Sequence, residues 1–350
     1  MLKLFEYIKN FLGEKKIINW ASKSYVRTSF YYTFFSTQFH REHYAVLHGK
    51  THHLEQLKNN SAGIFTLRRN THRIEKGLSS MPLKPVFAEG FIMETVEAFH
   101  DVMQYYPEDS SVFWAYDVLI NYFDTVTVTP KINKAKQFFD QTNKLYHQKT
   151  KEGKQIPFKR IAGVRSTIDF DQFYKLCQQR RSVRWYTKEK VPRTLIEKAV
   201  NAAAYSPSAC NRQPFRFIVV DDEQQLKEVS YFPMGTKVFA HNVPCMILVI
   251  GDLSAYFDER DRHLIYIDGA LASMSLMFAF ETLGLASCPI NWPDIESREA
   301  EMSAYFKLEK HERCLMFMSV GYPLDEGMIP HSSKKIANEL IIYSNEKQEN

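Results

Sequence analysis

The chain has 350 residues, 45% of them apolar and 14% aromatic, with a formal net charge of +5. That length exceeds one average domain and that apolar content can fill packed cores, so wholesale disorder is excluded and two domains are expected. The charge is unevenly placed: residues 1–165 hold 24 Lys+Arg against 15 Asp+Glu, whereas residues 166–350 hold 21 against 25.

A basic front half suits a membrane surface, a phosphorylated ligand or the acidic back half. No helix-turn-helix, zinc-finger or aromatic RNA-binding signature points to nucleic acid. No run approaches 18 consecutive apolar residues, so no membrane span is expected. The first residues lack the apolar core and cleavage site of a secretory signal. Cys177, Cys210, Cys245, Cys288 and Cys314 all lie in the back half without a Cys-x-x-Cys pair. That usage implies a reducing, cytoplasmic setting without a disulfide framework.

The front half, 1–155, reads as a mainly helical domain. Leu2, Phe5, Ile8, Phe11 and Leu12 share one face of an amphipathic helix, which suits docking on its own domain and, as a lesser reading, a membrane interface. His40, His43, His48, His52 and His53 follow. His40 and His43 share a helical face, as do His48 and His52, but Gly49 is a candidate break between them. With no nearby thiolate they read as a polar helix, and no metal site is expected. Residues 66–78 hold Arg68, Arg69, His72, Arg73 and Lys76 against Glu75 alone. They suit an anionic substrate or an interdomain face. Further helices are expected over 91–105, 112–123 and 131–146, and 148–154 is the expected linker.

The back half, 166–350, alternates. Helices are expected over 170–180, 192–205, 264–283 and 297–306, the third stopping at Gly284. Strands are expected over 215–220, 245–250, 286–290 and 315–321, with one more over 340–343. This is an α+β pattern of helices on a sheet.

Four segments carry chemistry. Arg180-Arg181-Ser182-Val183-Arg184 offers three planar donor forks and a hydroxyl, suited to phosphate. The loop from Tyr205 to Pro214 is fixed by Pro207 and Pro214, and it presents Ser208, Asn211 and Gln213 to a heterocycle edge or ribityl chain. In the stretch from Gly284 to Pro293, Pro289, Ile290 and Asn291 end a strand whose N–H groups can aim into a cleft. Trp292 is placed to cover a flat ring there. Last come Val320-Gly321-Tyr322-Pro323 and the basic Lys334-Lys335. Taken singly, these also fit a solvated helix end, an ordinary turn, a buried strand and a loop.

Taken in order, they resemble the nitroreductase superfamily over about 168–335. The resemblance implies an α/β sandwich with a mostly antiparallel central sheet, binding FMN across a homodimer and accepting electrons from NAD(P)H for a small or glycan-linked acceptor. It implies that Arg180, Arg181 and Ser182 hold the phosphate, with Lys334 or Lys335 as a late basic ligand. Arg184 then lies near the ribityl chain and pyrimidine edge, and Lys237 is a lesser candidate for the flavin edge. Pro207, Ser208, Asn211 and Gln213 form the loop a partner subunit lays on the flavin. Pro289, Ile290 and Asn291 approach its N5, where Trp292 replaces a frequent glycine. No catalytic side chain is implied, since the flavin carries the redox chemistry, and Cys288 reads as a packed small residue. The alternatives are a flavin-binding structural or regulatory subunit, blocked by Trp292 and the extension, and a protein that consumes FMN as substrate.

Overall fold

The computed structural model describes residues 13–58, 63–145, 154–160 and 163–344. The amphipathic pattern from Leu2 to Leu12 and most of the expected linker lie outside them.

The front part is helical throughout: α1 (Glu14–Ala21), α2 (Tyr25–Phe34), α3 (His40–Lys58), α4 (Ile64–Leu78), α5 (Ile92–Tyr105), α6 (Ser110–Thr125) and α7 (Pro130–Leu145). The core of α4–α7 gathers Leu67, Ile74, Phe99, Leu119, Tyr122 and Ile132, all fully buried. Helical spacing puts Val96, Phe99, Val102 and Met103 on one face of α5. The Asp109 carboxylate caps α6 by accepting the Ser111 N–H at 2.7 Å.

Gly49 does not break α3, which runs through it. A Cβ there would stand 2.8 Å from the Leu253 backbone. The glycine therefore lets α3 lie directly on the back half.

The back part runs α8 (Phe170–Gln179), α9 (Arg193–Ala203), β1 (Phe215–Val220), α10 (Glu223–Val229), β2 (Cys245–Asp252), α11 (Leu264–Thr282), β3 (Ala286–Asn291), α12 (Glu296–Tyr305), β4 (Glu312–Gly321) and the single turn α13 (Ala337–Leu340). The strands form one antiparallel sheet in the order β1-β2-β4-β3. Strand periodicity sorts β2 onto two faces. Met246, Leu248 and Ile250 pack with Phe317 and Trp292, while Cys245 and Ile247 pack with Leu276 and Phe280 of α11. This is the expected α+β sandwich with helices on a fully antiparallel sheet.

Gly284 takes φ +75° after α11, as a helix-ending glycine should. By length and composition the 259–282 segment is apolar enough to cross a membrane. Here it is the core helix, with Ala272, Leu276 and Phe280 buried. Its other side exposes Ile267 and Leu271, and Phe170, Phe173 and Tyr174 of α8 are also exposed, with the Phe173 ring 5.8 Å from that of Phe278 in α11.

The expected strand over 340–343 does not form. Leu340 is the last residue of α13, Ile341, Ile342 and Tyr343 follow it, and all four are exposed and pair with no strand among the described residues. An apolar run needs a sheet edge to receive it, and none meets this one.

The two parts meet along α3 and α4. Arg41 pairs with Glu296 and Lys50 with Glu259, each at 2.8 Å. His53 Nδ1 lies 2.8 Å from the Ser254 carbonyl. Part of the front half's basic excess is thus met by the acidic back half.

Candidate functional site

Helix α8 begins with a capping box, the Asp169 carboxylate accepting the Gln172 N–H while Gln172 Oε1 accepts the Asp169 N–H. It ends at Arg180, whose ψ of 110° turns the chain out of the helix. The next residues run alongside β3. Ser182 bridges Ser287 in parallel, and the Val183 N–H donates to the Ser287 carbonyl at 3.1 Å.

This bridge brings Arg180, Ser182 and Arg184 around Cys288. Burial pushes the Cys288 thiol up, opposed by Arg184, by a hydrogen bond with Ser182 and by Arg180. The thiol therefore stays protonated at neutral pH and is no nucleophile. Close by along the chain, Arg180 Nε, two residues before the bridge, and Ser287 Oγ, on the bridged residue itself, are buried without a hydrogen-bond partner in the protein. Such groups are costly unless something satisfies them. A guanidinium and hydroxyls at a strand edge are the donor set a phosphate takes.

Arg181 differs from expectation. Its guanidinium donates to the carbonyls of Pro330 (2.8 Å) and His331. Its Nη2 therefore ties down the 330–331 segment. Lys334 and Lys335 follow in exposed irregular chain, and Lys237 is likewise an exposed loop residue.

At the end of β3, Pro289 is half-buried, Asn291 is exposed and the Ile290 side chain points into the core. Only the backbone of Ile290 is therefore open to a ligand. Trp292 does not cover a ring. It is 6% exposed, its ring centroid is 5.1 Å from that of Phe317, and its indole N–H donates to Glu299. Alternation along the strand places Cys288, Ile290 and Trp292 on the same inward face. Trp292 therefore gives no ground for a blocked flavin.

The loop after α9 is held by its own polar groups. Ser208 Oγ accepts the Gln213 N–H at 3.0 Å, Gln213 Nε2 donates to the Ala204 carbonyl at 2.8 Å, and the Ala209 N–H donates to Asp268 at 2.9 Å. Cys210, Asn211 and Gln213 all adopt positive φ. The loop thus sits at the start of α11, whereas Gln179, next to Arg180, reaches Glu281 at the end of that helix. One chain brings Arg180, Ser182, Arg184 and Pro289 together, and it leaves Pro207, Ser208, Asn211 and Gln213 elsewhere.

The basic stretch in α4 is disposed differently again. Arg69 pairs with Glu94 at 3.2 Å, and the Arg73 guanidinium lies 3.6 Å from the Phe91 ring centroid. Arg68 crosses to the back half and donates to the Asn211 carbonyl at 2.8 Å and to Gln213 Oε1 at 2.7 Å. Sequence reasoning offered this stretch an anionic substrate or an interdomain face without naming a partner, and Arg68 takes the interdomain role.

His48 and His52 contact the back half, as His53 does. Among the described residues no group of three His, Cys, Asp or Glu is arranged to hold a metal. His48 and His52 stack on His311 at 5.9 and 4.7 Å. His43 instead lines a cavity of about 620 Å³ with Tyr32, Phe39, Arg262 and His263.

The sequence profile of the Nitroreductase family matches residues 177–233 and 225–322. A protein of Archaeoglobus fulgidus described as an NADH dehydrogenase/NAD(P)H nitroreductase is 34% identical over 163 residues, covering 45% of this chain and 88% of that protein. Iodotyrosine deiodinase 1 of Pongo abelii is 24% identical over 199 residues, covering 49% of this chain and 68% of the relative. Among solved structures, an FMN-dependent nitroreductase from Clostridium difficile aligns at a TM-score of 0.42 with 23% identity, covering 49% and 98%.

Proposed function

The chain belongs to the nitroreductase family, and on that premise we propose that it is an FMN-dependent oxidoreductase acting as a homodimer. The observation that carries the reading is that Arg180 Nε, two residues before the Ser182 bridge, and Ser287 Oγ, on the residue that Ser182 bridges, are both buried without a partner in the protein. They fit the anionic end of FMN, with Ser182 as a further donor.

When bound, the flavin supplies two-electron chemistry between NAD(P)H and a small acceptor. The protein's part is orientation and electrostatics. Arg180 and Ser182 fix the phosphate end, and the Arg184 guanidinium keeps positive charge where reduction adds negative charge. The backbone at Pro289 and Ile290 would face the ring of a bound flavin, while the inward Ile290 and Trp292 hold that strand end in register. Cys288, kept neutral by burial, packs beneath the site.

The exposed apolar side chains of Phe170, Phe173 and Tyr174 on α8 and of Ile267 and Leu271 on α11 suit a second copy. That copy would bring its Ser208–Gln213 loop to the flavin. A cytoplasmic setting belongs to the same proposal. The likeness to iodotyrosine deiodinase 1 favours a second acceptor class, halogenated aromatics, beside nitro compounds.

Anaerobic mixing of the FMN-loaded protein with NADH or NADPH tests the activity. Rapid bleaching of the yellow flavin by either nucleotide supports it. Flavin that binds but stays oxidised supports a flavin-binding subunit without turnover instead.

A further inference from the structure

We propose that Arg68, in the helical N-terminal part, is a positioning residue of the flavin site, setting the shape of the loop that a second copy receives. The proposal rests on the flavin reading above and adds a role for the N-terminal part.

Three acceptors engage the Arg68 fork. Nε donates to the Asn211 carbonyl (2.8 Å), one terminal nitrogen to Gln213 Oε1 (2.7 Å) and the other to Ser111 Oγ (2.9 Å). The guanidinium also lies 5.4 Å from the Trp114 ring centroid. Burial lowers its pKa, and Asp109 opposes this only through space. Among the described residues Arg68 joins no ion pair, so a desolvated cation is spent on loop acceptors rather than on a carboxylate. Retaining such a group is costly, which argues for a task beyond packing.

The loop needs holding. Cys210, Asn211 and Gln213 keep φ of +54°, +50° and +50° without being glycine. Such conformations persist only where surroundings over-determine them. Arg68 grips two of the three. Gln213 is thereby saturated, its amide oxygen taken by Arg68, its amide nitrogen by the Ala204 carbonyl and its backbone N–H by Ser208. It acts as a strut of the loop, leaving Pro207, Ser208 and the Asn211 side chain as the surface offered to a ligand. A lysine has one donor head and cannot span three acceptors while stacking on Trp114.

The test uses the full chain with Arg68→Ala, Arg68→Lys and, as control, Lys50→Ala. The control removes another tie between the two parts, Lys50 to Glu259. FMN affinity, the fine structure of the bound-flavin spectrum and the rate of tryptic cleavage after Arg212 are read in each. Arg212 is 5% exposed, so cleavage there reports loop opening whether or not flavin is present. Both Arg68 variants are expected to weaken FMN about 10- to 100-fold, blur the spectrum and speed the cleavage, while Lys50→Ala leaves all three unchanged. If Arg68→Ala does not fold by circular dichroism, Arg68→Lys carries the comparison.

Unchanged affinity, spectrum and cleavage in the Arg68 variants would overturn the inference. So would equal effects from Lys50→Ala, which would reduce Arg68 to a docking contact. A parent protein that binds no FMN would end the flavin reading itself, and this role with it.

Discussion

Asp268 and Glu281 stand at opposite ends of one helix and serve opposite halves of the candidate site. Asp268 accepts the Ala209 N–H of the Pro207–Gln213 loop, and Glu281 meets Gln179 beside Arg180. At 1.5 Å rise per residue they are about 20 Å apart. On the proposed flavin reading these are two half-sites, and a second copy would complete each.

On that proposal, flavin binding depends on association. Leu271→Asp places a charge on the exposed apolar side of α11 without touching the phosphate corner. Light scattering should find a monomer, and FMN occupancy should fall together with the dimer. A monomer that keeps full FMN occupancy would break the link between the two.

Arg180 and Arg181 should behave differently despite being neighbours. Arg180→Ala removes the unpartnered donor, and losing a charge-assisted hydrogen bond of about 1.5–3 kcal/mol should weaken FMN roughly 10- to 100-fold. Arg181→Ala releases the tail carbonyls and should cost less than threefold, within roughly 0.6 kcal/mol. Fluorescence titration of FMN into both variants checks the order.

Gly49→Ala tests the close approach of α3. The new Cβ would meet Leu253 backbone atoms at 2.8–2.9 Å, and backbone cannot swing aside as a side chain can. A loss of about 1–3 kcal/mol in urea unfolding is expected, whereas Ala at an unobstructed helix position would stabilise.

The contact between α3 and β4 should be sensitive to acid. Burial depresses the His311 pKa despite the partial support of Asp252, with His52 and His48 also opposing its charge. A group depressed in the fold contributes stability that is complete above its unfolded value of about 6.5, and that contribution is lost as pH falls toward the folded value. His53 is depressed by burial in the same direction. Stability measured between pH 7.5 and 5 should fall, and His311→Gln should flatten that slope. An identical slope in the variant would place the acid sensitivity elsewhere.

Much of the fold was legible because its signals are local. Helical spacing in α5 and α6, the Gly284 stop and the apolar strands needed only their own residues. The direction of Trp292 was legible too, since it continues the inward alternation of Cys288 and Ile290. Its reading as a ring cover gave more weight to its chemistry than to its register.

Gly49 read as a break because helix propensity is local, whereas its partner Leu253 is not. Arg68 was illegible for the same reason, as its acceptors Asn211 and Gln213 lie 143 and 145 residues away. The apolar run at 340–343 carries strand propensity, but pairing depends on an edge that only the folded sheet reveals.

The phosphate corner is tested most directly by comparing FMN with riboflavin, which lacks only the phosphate, in titrations of the same dimeric protein. The account predicts that FMN binds at least about 100-fold more tightly, and that Arg180→Ala removes most of that difference. Equal affinity for the two flavins, or no binding of either, would contradict it.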